Sequence, residues 1–239
     1  MRLANLGGLA VRIVGGSDGS GGGDGPVVVL LHGFGAPADD LLPLAEVLAP
    51  PGSIRFAFPG APLTLPGMWG AGRAWWMIDV GRFEQASRGG LRELSDEVPA
   101  GLDEARAQVL AMLDELEPLL GVSGERVALG GFSQGAMLSC DVALRSRRPL
   151  AGLLLMSGVL LCRPQWLRLM PERAGLPVFQ SHGSQDPLLP FELAAELRDA
   201  MTAAGLAVDW LEFPGGHEIP LEVVERASAF LRRVGSSQR

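Results

Sequence analysis

Residues 127–135 read Val-Ala-Leu-Gly-Gly-Phe-Ser-Gln-Gly, an apolar run that ends in Gly131-Phe132-Ser133-Gln134-Gly135. The run has the length and composition of a buried strand, and the residues after it carry a helical pattern. Gly-x-Ser-x-Gly between a strand and a helix predicts a sharp, strained turn that exposes the serine hydroxyl. Side chains two residues either side of Ser133 would collide with neighbouring backbone, so both glycines are required. Gln134 opens the helix, which points its backbone N–H at the space above Ser133. A bland alternative is a glycine-rich turn in which Ser133 merely caps a helix; the strand–turn–helix context favours a nucleophile.

Outward from this segment, short apolar runs alternate with longer helical patterns. Strands are predicted at 27–31, 54–58, 126–130, 151–156, 178–181 and 207–212, and helices at 39–48, 102–120, 134–145, 191–204 and 221–234. Leu102, Val109, Leu113, Leu116 and Leu120 fall on one helical stripe, with Asp103, Asp114 and Glu117 largely off it. The alternation predicts an α/β fold, a mainly parallel sheet with helices on both faces. Nothing in the 239 residues resembles a linker between two cores, so one domain spanning 1–239 is expected. Residues 15–25, rich in Gly, Ser and Asp, read as a flexible hairpin connection between the apolar runs 9–14 and 27–31. The longest stretch without clear periodicity is 60–97. A loop of that length in a compact domain is usually functional.

All 20 basic residues are arginine, which removes Schiff-base chemistry, pyridoxal-phosphate enzymes and the phosphate-loop lysine. Tyrosine is absent, so tyrosine acid–base roles are excluded as well. The net charge of −7, with scattered arginines, is repelled by phosphate backbones and argues against a nucleic-acid partner. Arg145, Arg147 and Arg148 end a predicted helix and complement its dipole. The two cysteines, Cys140 and Cys162, cannot build a zinc site and read as buried free thiols. Apolar runs fall far short of the roughly 18 residues that span a bilayer, and polar residues interrupt any N-terminal signal core. A cytoplasmic protein without stable membrane insertion is expected.

A serine hydroxyl needs a base at neutral pH, and the sequence has three histidines, His32, His182 and His217. After a Gly-x-Ser-x-Gly elbow the partners follow in the order serine, acid, histidine. His32 precedes the serine, and His182 has no strong acid candidate between it and the elbow. His217 lies in Pro214-Gly215-Gly216-His217, after the last predicted strand, and is the expected base. Asp186, in a turn just past the 178–181 strand, is the expected acid; it would hold the His217 tautomer and stabilise the imidazolium. Its rivals Asp199 and Asp209 fall within a predicted helix and a predicted strand. The second oxyanion donor should come from a loop after an early strand. Leu31-His32-Gly33-Phe34-Gly35 supplies it, with the Phe34 N–H beside the Gln134 N–H. His32 and His182 are expected to be structural, bonding nearby backbone.

Leu-His-Gly-Phe-Gly, Gly-Gly-Phe-Ser-Gln-Gly, His-Gly-Ser-Gln-Asp-Pro and Gly-Gly-His-Glu-Ile-Pro, in this order and spacing, resemble the phospholipase/carboxylesterase family of α/β-hydrolases. That family includes bacterial carboxylesterases and acyl-protein thioesterases. The resemblance covers roughly residues 25–234. It implies an α/β-hydrolase fold with little or no cap, Ser133, Asp186 and His217 as a triad, and Phe34 and Gln134 as oxyanion donors. Phe58-Pro59-Gly60-Ala61-Pro62 and Ala74-Trp75-Trp76 resemble the family's pocket-forming segment. The first 25 residues depart from the family pattern, and the 68–79 segment is richer in tryptophan than in thioesterases acting on lipidated proteins.

Met68, Trp69, Trp75, Trp76, Trp166, Leu188 and Leu189 lie outside the predicted strands and near the motifs. Of these, Trp69, Trp75, Trp76, Leu188 and Leu189 are expected to line an acyl pocket, with packing as core beneath the loops as the alternative. The expected function is hydrolysis of small-molecule esters with short to medium acyl chains through an acyl-enzyme, with no cofactor and no metal. Acyl-protein thioesterase and lysophospholipase are the alternatives within this chemistry, and an inactive hydrolase-fold binding protein is the alternative outside it.

Overall fold

The Val-Val-Val-Leu-Leu segment Val27–Leu31 is a strand with all five residues buried, as a continuous apolar run requires when both sheet faces are covered. Val27, Val29 and Leu31 enter one apolar cluster, and Val28 and Leu30 enter a second on the opposite face. The computed structural model describes residues 1–49, 52–66, 70–78 and 95–236.

The strands in chain order are β1 (Arg2–Leu6), β2 (Leu9–Gly16), β3 (Ser20–Gly22), β4 (Val27–Leu31), β5 (Arg55–Pro59), β6 (Leu63–Thr64), β7 (Arg73–Ala74), β8 (Val127–Phe132), β9 (Gly152–Met156), β10 (Pro177–Gly183) and β11 (Ala207–Phe213). The main sheet runs β1-β2-β5-β4-β8-β9-β10-β11, with β3 beside β2, while β6 and β7 form a separate ribbon. From β5 to β11 all pairings are parallel. β2 is antiparallel to both β1 and β5. The helices are α1 (Leu44–Leu48), α2 (Leu102–Leu120), α3 (Gln134–Arg145), α4 (Arg163–Leu169), α5 (Phe191–Ala203) and α6 (Leu221–Ser236). Leu113, Leu138, Trp166 and Leu197 bring α2, α3, α4 and α5 onto one face. Leu48 and Phe230 bring α1 and α6 onto the other. No helix among the described residues is long and apolar enough to cross a membrane.

The six expected strands are present, with ends shifted by up to two residues. Three readings need correction. Residues 15–25 do not close a hairpin between β2 and β4, because β5 lies between these strands and pairs with both. The stretch is also tied down: one Asp18 carboxylate oxygen accepts the Ser20 and Gly22 N–H groups, each at 2.8 Å. The helix expected at 39–48 begins only at Leu44, after Pro43; proline cannot donate to a preceding turn but fits a helix start. Helix α4 escaped prediction because it is only seven residues long and carries Pro164 in its first turn.

A buried charge network joins the helices of one face. Asp141, wholly buried on α3, accepts Trp166 Nε1–H at 2.8 Å, Arg145 Nε–H at 2.7 Å and Arg106 at 2.8 Å. Arg148 pairs with Asp114 and Glu117, and Arg147 with Glu172 at 3.6 Å. All three helix-end arginines are thus engaged by carboxylates. Cys140 and Cys162 beside this network are free and buried. Burial, reinforced by Asp141, pushes Cys162 up to about 11 and Cys140 well above the usual thiol range. The thiolate is the reactive form, so the native protein should resist iodoacetamide at neutral pH and incorporate two equivalents once denatured. Rapid native-state labelling followed by mass spectrometry would show that these thiols are accessible.

Candidate active site

The chain leaves β8 at Phe132 and enters α3 at Gln134, and Ser133 makes the whole reversal. Its φ of 55° and ψ of −117° lie outside the regions that side chains favour, a strain that persists only where surrounding structure enforces it. The Ser133 N–H is held by Met156 O at 2.9 Å, and Ser133 O accepts the Met137 N–H at 3.1 Å. A Cβ on Gly131 would sit 2.3 Å from Leu31 O, and one on Gly135 would sit 2.0 Å from the same atom. The glycines therefore let the elbow press against the end of β4. At the first position of α3, the Gln134 N–H has no partner within the helix.

The loop after β4 abuts the elbow: a Cβ on Gly33 would lie 3.4 Å from Ser133 Cβ. Phe34 follows, half-buried. Gly35 N–H donates to Arg73 O at 2.9 Å, and Arg73 N–H donates to Ala36 O at 3.0 Å, tying the loop to β7. His32 is structural, as its sequence position suggested. Its Nε2 accepts the Ala61 N–H at 3.0 Å, so the proton sits on Nδ1, which donates to Gly33 O at 2.8 Å. Burial lowers its pKa and keeps the ring neutral.

Asp186 follows β10 and His217 follows β11, and the parallel pairing of these strands brings the two loops together. Gln185 N–H donates to Gly215 O at 2.9 Å across them. His217 Nδ1–H donates to Asp186 Oδ2 at 2.6 Å, while Oδ1 accepts the Leu188 and Leu189 N–H groups at 2.8 and 2.9 Å. Burial pushes the Asp186 carboxyl up, but the His217 bond and the two backbone donors outweigh it and hold the pKa below the usual aspartate value. The His217 ring packs on Phe132, centroids 4.7 Å apart, next to Ser133. The rival acids are occupied elsewhere, Asp199 by Arg198 and Asp209 by Arg226 and Arg233.

Residues 21–234 match the model of the phospholipase/carboxylesterase family. The chain belongs to the phospholipase/carboxylesterase family. It is 29% identical over 183 residues to acyl-protein thioesterase 1 of Neurospora crassa, covering 74% of this chain and 73% of that protein. With acyl-protein thioesterase 1 of Eremothecium gossypii it shares 31% identity over 217 residues, 85% of this chain and 86% of the relative. Among solved structures, esterase PE8 superposes with a TM-score of 0.76 and 26% identity, covering 95% of this chain and 99% of that one. The protein is a hydrolase of the carboxylesterase and acyl-protein thioesterase type.

In this phospholipase/carboxylesterase family member the apolar residues named from sequence separate. Trp75 and Trp76, at 2% and 3% exposure, belong to the core and do not form an exposed pocket wall. The reason is polar as well as apolar: Trp75 Nε1–H donates to His32 O at 2.9 Å, anchoring the indole under the loop after β4. Trp166 is core as well, with its indole N–H on Asp141. Leu189 is buried and Leu188 exposed. Met68 and Trp69 lie outside the described residues. Beside Asp186, a cleft of about 290 Å³ is lined by Ser184, Pro187, Leu188, Pro190, Phe191 and Glu192.

One contributor was missed from sequence. The Gln134 side chain is fully buried; its Oε1 accepts the Trp75 N–H at 3.0 Å and its Nε2–H donates to Trp76 O at 2.9 Å. The residue after the elbow serine thus clamps the backbone of the segment whose indole supports the loop after β4. Its signal was a long amide next to the serine in a buried turn, which must find partners.

Proposed function

We propose that Ser133, Asp186 and His217 form a catalytic triad that hydrolyses carboxylic esters of short to medium acyl chain through an acyl-enzyme. The observation that carries this is the 2.6 Å His217–Asp186 hydrogen bond, set beside Phe132 and the strained Ser133. Ser133 Oγ attacks the ester carbonyl and its proton passes to His217 Nε2, while the N–H groups of Phe34 and Gln134 stabilise the tetrahedral oxyanion. Collapse breaks the bond to the alcohol, which leaves with the proton from Nε2. Water then attacks the acyl-enzyme by the same route and restores Ser133. The two free thiols fit a reducing compartment, the cytoplasm.

Support for a limited chain length comes from the cleft beside Asp186, which at about 290 Å³ is small for a long acyl chain. The net charge of −7 also disfavours docking on anionic lipid surfaces. Each methylene that finds a pocket wall adds up to about 0.8 kcal/mol, close to fourfold in kcat/KM. Specificity should climb with acyl length, then level off before palmitoyl. A steady rise to palmitoyl would contradict the limit. The thioesterase names of the two fungal relatives favour a second reading, thioester cleavage, by the same steps with a thiol leaving group. Running the series as paired oxygen esters and thioesters separates the two, since a kcat/KM preference for long-chain thioesters would select the second.

A further inference from the structure

His182 stands near the end of β10, four residues before Asp186, and is wholly buried. Its Nε2 lies 2.9 Å from Leu189 O and 3.4 Å from Asp186 Oδ2. Both neighbours are acceptors, so Nε2 carries the proton. Nδ1 is buried with no hydrogen-bond partner. A second N–H there would be an unsatisfied buried donor, which makes the ring neutral; burial lowers its pKa in the same sense. The edge-on ring of Phe191, centroids 6.3 Å apart, closes the site from α5.

These contacts reach both oxygens of the Asp186 carboxylate. His182 holds the Leu189 carbonyl, while Leu189 N–H and its neighbour Leu188 N–H occupy Oδ1. His182 Nε2 donates to Leu189 O and lies 3.4 Å from Oδ2, the oxygen that receives His217. Two backbone N–H groups on Oδ1 orient the carboxylate towards His217, and His182 anchors the segment that carries them. Resting on the triad proposed above, we infer that His182 is a positioning residue: its N–H, bonded to the Leu189 carbonyl, anchors the segment whose N–H groups hold Asp186 in line with His217, beyond merely filling the core.

The test compares His182→Gln with His182→Phe. Glutamine places an amide N–H close to the Nε2–H position, while phenylalanine fills the space without a donor. His182→Phe should lower kcat on a soluble ester by about 100-fold, the scale of a small misplacement in a catalytic array, with KM little changed. His182→Gln should recover most of that loss. The low-field proton resonance of the His217–Asp186 hydrogen bond should vanish in the phenylalanine variant and persist in the glutamine variant. Wild-type kcat in His182→Phe, or a glutamine variant as impaired as the phenylalanine one, overturns the inference. If the phenylalanine variant does not fold, nitrogen-15 shifts of wild-type His182 decide: a neutral Nε2–H ring is expected, and an Nδ1–H ring overturns it. Ser133→Ala is the control. Retained hydrolysis there sinks the triad itself, whereas an inactive Ser133→Ala beside a fully active His182→Phe sinks only the role of His182.

Discussion

Ser133→Ala should reduce kcat for ester hydrolysis by on the order of 10⁴-fold or more if Ser133 belongs to the proposed triad, since such a triad works as a unit and loses most of its power with any one member. The substitution deletes one hydroxyl and little else. Ser133 is held through its backbone, by Met156 O and the Met137 N–H, and its side chain caps nothing in α3. Alanine accepts the unusual backbone angles about as poorly as serine does, so the fold and melting temperature should stay close to wild type. Large kinetic loss with unchanged stability separates a nucleophile from a structural cap, whose removal would lower stability by about 1 kcal/mol and leave turnover intact. Stopped assays on purified protein, with thermal melts of both forms, check both halves of the expectation.

Asp186→Asn should cost nearly as much, about 10⁴-fold in kcat, the scale known for removing the charge of a triad aspartate without moving it. The local hydrogen bonds explain why the change is so damaging here. Oδ1 of Asp186 accepts two backbone N–H groups, from Leu188 and Leu189. In the asparagine variant the carbonyl oxygen must take that position, since the amide NH₂ would meet two donors. The NH₂ then faces His217 Nδ1 and donates to it, which places the imidazole proton on Nε2. His217 would present a proton to Ser133 where it needs a lone pair. Binding of substrate requires none of this, so KM should change far less than kcat. Equal losses in Asp199→Asn or Asp209→Asn would contradict the assignment, because those carboxylates are engaged by surface arginines.

The elements that position the site were legible because each is written in local residues. Val127–Phe132 and Gln134–Arg145 carry a strand and a helix of the expected lengths, and the glycines at 131 and 135 announce a turn that admits no side chain. Asp186 and His217 could be named because the loops after two successive parallel strands come out at the same sheet end. What stayed hidden depends on contacts distant in sequence. Nothing local in residues 15–25 tells that β5, some thirty residues on, inserts beside β2. The tryptophans at 75 and 76 follow an aperiodic stretch, so apolar character alone could not separate pocket from core; the His32 carbonyl and the Gln134 amide settle it. For the same reason the Gln134 side-chain clamp could not be read from its neighbours in sequence.

Covalent trapping tests the nucleophile most directly. An alkyl fluorophosphonate should react once per chain: Ser133 Oγ bonds to phosphorus, fluoride leaves, and His217 takes the serine proton. Peptide mapping after complete inactivation should place the single adduct on the peptide that carries Gly131-Phe132-Ser133-Gln134-Gly135, and Ser133→Ala should take up none. An adduct on another serine, or full activity in protein modified at Ser133, would contradict the mechanism.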